Sequence, residues 1–284
     1  MSSSCSHCGN SIPLSASCCP HCGLPSLFPN VRAAEEPAEQ AALANRYQAA
    51  MNDAISRNCE AQAREFEAAA STAQVVISRR LYEIDRLATS ENQLYATFYQ
   101  LSEAEVRLPN GEKWDTLRAV ADEALFPGYK KQIRFGALSL DGIGLTNYGD
   151  CTMVLHENMI AHRTSFFEEN SVIFMEKKGV PMAKANVLPR GYRAFWANRG
   201  RLCLAKLVGE IHPGTEKKDF AMLLLRNGRK SEDDVFVEAH VFGSVSIRTM
   251  ERINVRKAAR KGQRVFLKAL ESKLKKMRVT LGEI

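Results

Sequence analysis

Two small sets of side chains in this sequence have the types and spacing to do chemistry. The first is a pair of knuckles, Cys5-Ser-His-Cys8-Gly9 and Cys19-Pro-His-Cys22-Gly23, with a ten-residue spacer between Cys8 and Cys19. Two C-x-x-C turns supply four thiolates, the tetrahedral sulfur set that zinc prefers, and the glycine after each knuckle lets the backbone turn sharply. Cys18 competes as a ligand, but its spacing to Cys22 is one residue too long, so Cys19 fits better; His7 and His21, inside the knuckles, are weaker ligands. The second set is Glu238 and His240, in the run Asp234 to Ile247, DVFVEAHVFGSVSI. Alternation along a strand places Val235, Val237, Ala239 and Val241 on one side, and Phe236, Glu238, His240 and Phe242 on the other. An acid and an imidazole on such an apolar face are either satisfied by a partner or at work in a cleft. Working together, they can move protons.

These groups need a scaffold. The 284 residues suffice for one large domain or two ordinary ones, and 45% hydrophobic with 25% charged residues is the composition of a folded soluble protein. No apolar run approaches the ~18 residues of a membrane span. The opening MSSSCSHCG has neither the basic region nor the apolar stretch of a secretory leader, so a cytoplasmic location and no membrane partner are expected. Five of the eight cysteines lie in the first 22 residues, which reads as a local metal site plus three ordinary thiols, Cys59, Cys151 and Cys203. The net charge of +7 is uneven: Glu251 to Ile284 holds 11 Lys/Arg against three Glu, and the rest of the chain holds 28 against 29 acids.

The expected fold class is α+β in three parts. Residues 1–27 form a zinc ribbon. Residues 33–106 form a long helical arm or hairpin, because Leu43, Tyr47, Met51, Ile55, Cys59, Ala63 and Phe66 recur at helical spacing, followed by Val75, Val76, Leu81, Ile84 and Leu87. Residues 107–284 form a catalytic domain with a mixed or antiparallel sheet. Its β-type runs are QIRFGALSL, CTMVLH, SVIFME, LCLAKLVGEI, FAMLLLR and VFVEAHVFGSVSI. A basic helix over 254–278 closes the chain. Arg256, Lys257, Arg260, Lys261, Arg264 and Lys268 form its cationic arc, and Val255, Phe266, Leu270, Leu274 and Met277 its apolar arc. The cations fit either a solvated face or a clamp on a phosphate backbone.

Standard catalytic signatures are missing. There is no P-loop and no G-x-S-x-G, Gly142-Ile-Gly144 lacks the third glycine of a dinucleotide fingerprint, and His156-Glu157 has no second histidine for a zincin. The knuckles resemble the small zinc ribbons of pattern CxxCG…CPxCG, which serve nucleic acid, protein docking, or simply as a folded cap. Over roughly the last 150 residues, Tyr148-Gly149-Asp150, Arg163-Thr164-Ser165-Phe166, Ser171 and Glu238-Ala239-His240-Val241-Phe242-Gly243 resemble bacterial mono-ADP-ribosyltransferases and related toxin domains. That resemblance implies an NAD-dependent ADP-ribosyltransferase, a toxin or phage-defence effector acting on nucleic acid or protein, with NAD and a structural Zn2+. It implies that Glu238 is catalytic, bonding the nicotinamide-ribose hydroxyl, and that His240 helps orient the acceptor. It implies that an early Arg and a Ser hold NAD: Arg134 or Arg163, and Ser165 or Ser171, with Tyr148 at the strand entry. The chain lacks the family's Ser-Thr-Ser triplet and has His240 where members carry Glu or Gln, which leaves the acceptor open. Two other readings stand beside it. One is a metal-independent ribonuclease using His240, Glu238 and nearby Arg residues. The other is a non-catalytic scaffold, with helices 33–104 serving self-association or an inhibitory partner. On residue types alone, Glu238 could equally pair with a base at a sheet edge, and Arg163 could be a helix C-terminal cation.

Overall fold

A computed structural model of the chain describes residues 2–5, 7–13, 16, 18–96, 99, 112–179, 188–256 and 261–284. Two short strands, β1 (Ser2–Ser4) and β2 (Ser11–Pro13), pair antiparallel at the N-terminus. Eight more form one sheet: β3 (Gln74–Arg79), β4 (Ile133–Ser139), β5 (Cys151–Leu155), β6 (Thr164–Phe167), β7 (Arg193–Phe195), β8 (Glu238–Phe242), β9 (Met250–Val255) and β10 (Thr280–Glu283). Their order is β10-β9-β5-β3-β4-β8-β6-β7. Only β9 and β10 pair in parallel; every other neighbouring pair is antiparallel. The helices are α1 (Pro29–Glu35), α2 (Pro37–Ser56), α3 (Glu60–Ala70), α4 (Leu81–Leu87), α5 (Glu112–Leu125), α6 (Glu157–Ile160), α7 (Ser171–Lys177), α8 (Arg199–Leu207), α9 (Phe220–Leu224) and α10 (Lys261–Lys276). The chain is thus mixed α+β, as its alternating runs predict.

The helical arm or hairpin expected over 33–106 is not one continuous helical unit, and residues 97–98 and 100–106 lie outside the described residues. Its helical periodicity does produce α2 and α3, but Gln74–Arg79 is a strand in the middle of the sheet, between β4 and β5. Val75, Val76 and Ile77 are consecutive β-branched residues, all buried, and a strand covered on both faces shows no alternation to mark it. The stripe formed by Leu43, Met51, Cys59, Ala63 and Phe66 is buried in the main core, where α2 and α3 pack against α8. Most of the stripe is therefore used inside the molecule, and Ile55 is exposed.

Three runs expected as strands are helices instead. SVIFME lies in α7, where the Asn170 side chain accepts hydrogen bonds from the Val172 and Ile173 amides and caps the first turn. LCLAKL lies in α8 and FAMLL in α9. At the other end, Asn254 and Val255 belong to β9, so the basic helix begins at Lys261 and not at residue 254. Its buried stripe is Leu267, Leu270 and Leu274, and Phe266 is partly exposed.

The ladder registers sort the sheet into two faces. Val75, Leu138, Val237, Ala239, Val241, Met153 and Ile253 share one face, which is mostly apolar and belongs to the main core, with Arg134 and Thr164 beside Val241. The opposite face is mixed: Val76, Ala137 and Glu238 form one row across β3, β4 and β8, and Phe135, His240 and Ser165 form another across β4, β8 and β6. The β3–β4 ladder ends at Val76–Ala137. Beyond it β3 continues beside β5 and β4 beside β8, so the two halves of the sheet part company and leave a cleft.

Candidate active site and metal centre

Alternation in β8 brings Glu238 and His240 to one face, and the structure joins them. His240 Nε2 lies 3.0 Å from Glu238 Oε2, with the side chains 2% and 3% exposed. Rings of Phe126, Phe135 and Phe167 surround the imidazole, with centroids 4.7, 5.4 and 6.3 Å away. So enclosed, His240 does not face an incoming molecule. Its contact is with the carboxylate, which it holds in one rotamer. Glu238 itself lines the cleft, a space of about 1390 Å³ whose walls also include Val76, Ala137, Tyr148, Asn170 and Arg118.

A glycine-bearing loop sets Tyr148 on this wall. The Gly142-Ile-Gly144 segment lies flat on the mixed face of the sheet. Asn254 Nδ2 donates to Gly142 O at 2.8 Å, and the Gly144 amide donates to Thr152 Oγ1 at 3.1 Å. Gly142 sits at φ +74°, and a Cβ on Gly144 would fall 2.2 Å from Ser78 Oγ and 2.9 Å from Thr152 Oγ1. We expect Gly144→Ala to lift the loop from the sheet and to lower stability by about 1–3 kcal/mol, the usual effect of overpacking. A denaturant melt reads this directly, and an unchanged midpoint would mean that the loop is not pinned there. Burial pushes the Tyr148 phenol up to about 12, so it remains a neutral donor beside Asn170.

Arg118, on α5, enters from the facing wall. Its Cζ stands 4.5 Å over the Phe135 ring, and its Nε is 3.5 Å from Asp122 Oδ2. Burial pulls the guanidinium pKa down, but Asp122 and then Glu238 more than offset this, so the group stays cationic. Asp122 is fully buried, accepts a 2.7 Å hydrogen bond from Tyr99 Oη and is pushed up by burial, opposed by Arg118.

The residues that the resemblance nominated for NAD divide. Tyr148 lines the cleft, and Arg134 borders it from β4. Register puts Arg134 on the opposite side of β4 from Phe135; its Nη1 donates to Gln132 O at 3.0 Å and its Nε has no partner among the described residues. Burial draws its pKa down. Arg163 is elsewhere: its Nε donates to Met159 O at 3.0 Å and its Nη1 to Phe242 O, the role of a helix-end cation. Ser165 accepts from Asn30 Nδ2 at 3.1 Å, and Ser171 turns to Asp122 at 3.5 Å; neither lines the cleft. Sequence reasoning missed Arg118, Asp122 and Asn170. Arg118 and Asp122 are one helical turn apart, which is a detectable signal, but such pairs are common on solvated helices. Of the tail cations, Arg256, Arg264 and Lys268 are exposed; Lys257 and Arg260 lie outside the described residues, as does the side chain of Lys261.

At the N-terminus the sulfur atoms of Cys5, Cys8, Cys19 and Cys22 all lie within 4.8 Å of one another, a group that could hold a metal ion such as zinc. The Cys5–Cys22 and Cys8–Cys19 separations are 3.8 and 3.6 Å. A tetrahedron with Zn–S bonds of about 2.3 Å has edges of about 3.8 Å, so the donor set fits. The two knuckles repeat one geometry: Gly9 N donates to Cys5 O and Gly23 N to Cys19 O, both at 2.9 Å, with φ of +71° at each glycine. Backbone N–H groups of the second knuckle, Cys22 first, bring the Cys19 thiol down to about 6. Cys18 is exposed and outside the group, as its spacing predicts. Arg32 of α1 fastens this unit to the main body, donating to Ala16 O at 2.9 Å, Ser26 Oγ at 2.8 Å and Pro13 O at 3.0 Å.

No protein-family model matches this chain, and no curated protein matches it. Among the described residues no helix is long and apolar enough to cross a membrane.

Proposed function

We propose that the chain is an NAD-dependent ADP-ribosyltransferase, with NAD as co-substrate in the cleft between β3 and β4. The observation that carries this reading is Glu238: a buried carboxylate, fixed by His240, on the wall of a cleft of about 1390 Å³ that also holds Arg118. The bond between ribose C1′ and the nicotinamide nitrogen breaks, and its electron pair leaves with nicotinamide. Positive charge grows on the sugar as it does so. A carboxylate held rigidly beside that sugar stabilises the transition state more than the ground state. The acceptor then bonds to C1′ and releases its proton to water. Tyr148 supplies a neutral hydroxyl to the same wall, and Phe135 an apolar surface. The ribonuclease reading asks His240 to exchange protons with a substrate, and three phenylalanine rings stand in the way. The ribbon, loaded with structural Zn2+, and the exposed cations of α10 would bring the enzyme to a nucleic-acid or protein acceptor, as a toxin or phage-defence effector in the cytoplasm requires.

The test is incubation of the purified chain with NAD labelled in the adenylate, with bulk RNA and cell lysate added separately. Nicotinamide release and label transfer are the expected result, and the labelled species names the acceptor class. Cleaved RNA with no NAD turnover would move the assignment to the nuclease.

A further inference from the structure

Arg118 is a cation with too few partners. A guanidinium carries five N–H donors in a flat fork. Asp122 stands 3.5 Å away and is shared with the Tyr99 hydroxyl, so it meets that fork only in part. The Arg118 Nε has no hydrogen-bond partner among the described residues. Its flat face is stacked on Phe135, which leaves the edge of the fork as the part able to bind. The side chain is 24% exposed and lines the cleft. Arg134 also has an unmet Nε, but register puts it on the other face of β4, beside Val241. A buried donor left unmet is costly, and Arg118, lining the cleft, is best satisfied by an anion that enters it. The fork of an arginine matches a tetrahedral oxyanion edge to edge.

We infer that Arg118 binds the diphosphate of a nucleotide in the cleft, with Asp122 and Phe135 as positioning residues that fix the plane of its fork. Glu238 repels the same anion, so the diphosphate lies on the Arg118 side and the sugar that carries the leaving group lies against Glu238. This orientation rests on the transferase reading; the anion site does not.

The experiment is calorimetric titration of ADP, inorganic pyrophosphate and adenosine into the full chain. Wild type and Glu238→Gln are expected to bind ADP and pyrophosphate, and adenosine at least tenfold more weakly. Arg118→Gln should lose at least tenfold in affinity for both anions, and Arg118→Lys should lose less. Asp122→Asn should weaken pyrophosphate while circular dichroism stays unchanged. Because a substitution at a partly buried arginine can disturb folding, the wild-type chain is also treated with phenylglyoxal, and pyrophosphate should protect the Arg118 peptide from modification. Absence of binding by wild type, wild-type affinity in Arg118→Gln, or modification of Arg118 that pyrophosphate does not slow would each overturn the site. Arg118-dependent ADP binding without NAD turnover would keep the anion site and remove the transferase assignment.

Discussion

Glu238→Gln is expected to lower NAD cleavage by at least ~100-fold with little change in the fold. Gln keeps the volume of Glu and can still accept from His240, so the packing beneath the cleft survives. What disappears is the negative charge placed to meet the developing sugar cation. Removing one preorganised electrostatic contact of this kind typically costs about 10²–10³ in kcat. The measurement is kcat/KM for nicotinamide release, read beside a near-ultraviolet spectrum that reports the Phe and Tyr cluster around β8. Loss confined to kcat means that the carboxylate acts in the transition state, whereas a rise in KM alone means that it only binds. Full activity in the variant would remove Glu238 from the chemistry.

Metal removal should have the other large effect, and it should be local. Among the described residues the apolar core of the N-terminal unit is Ile12 with Cys5 and Cys19, supported by Ala16, which is too little to hold a β-hairpin unaided. In small zinc modules the free energy of metal binding, about 10–16 kcal/mol, is also the free energy of folding. Chelation, or Cys19→Ser, should therefore release one metal ion per chain and open residues 2–27 to protease. Among the described residues the main core contains none from 2–27, so the sheet should keep its far-ultraviolet signature. Thiols must lose protons to bind, so metal affinity is expected to fall as the pH drops. Elemental analysis with limited proteolysis reads both effects. A metal-free chain that resists cleavage in this segment would show that Arg32 and the packing of Phe28 against Phe242 suffice to hold it.

How much could be read from residues alone depended on how local the cause was. The knuckles were legible because their geometry is set within five residues: two sulfurs, a turn and a glycine. The alternation of β8 was legible for the same reason, and its register confirms which residues share a face with Glu238. β3 was not, because what makes Gln74–Arg79 a strand is pairing with residues 133–139 and 151–155, contacts that no window of sequence contains. Its Val-Val-Ile run was absorbed into the helical spacing on either side. SVIFME and LCLAKL failed in the opposite direction: apolar runs of that length suit a covered strand and a buried helix equally, and packing decided. The wall of the cleft mixes both cases. Glu238 and Tyr148 sit on nameable patterns, whereas Arg118 acquires meaning only when α5 is laid across β4.

The central position of β3 also governs how the polypeptide can reach this state during synthesis. A strand made early waits for both of its neighbours, β4 and β5, and the sheet cannot close until β8 inserts between β4 and β6. Pairings so distant along the chain are slow to find, because the loop must close before any contact rewards it. The first hundred residues therefore leave the ribosome with the apolar side of α2 and α3 uncovered, and they are a natural client for a chaperone until the C-terminal half arrives. A cut near residue 106, which looks like a boundary in the sequence, would not separate two folding units. It would divide one sheet, leaving each piece with half a core.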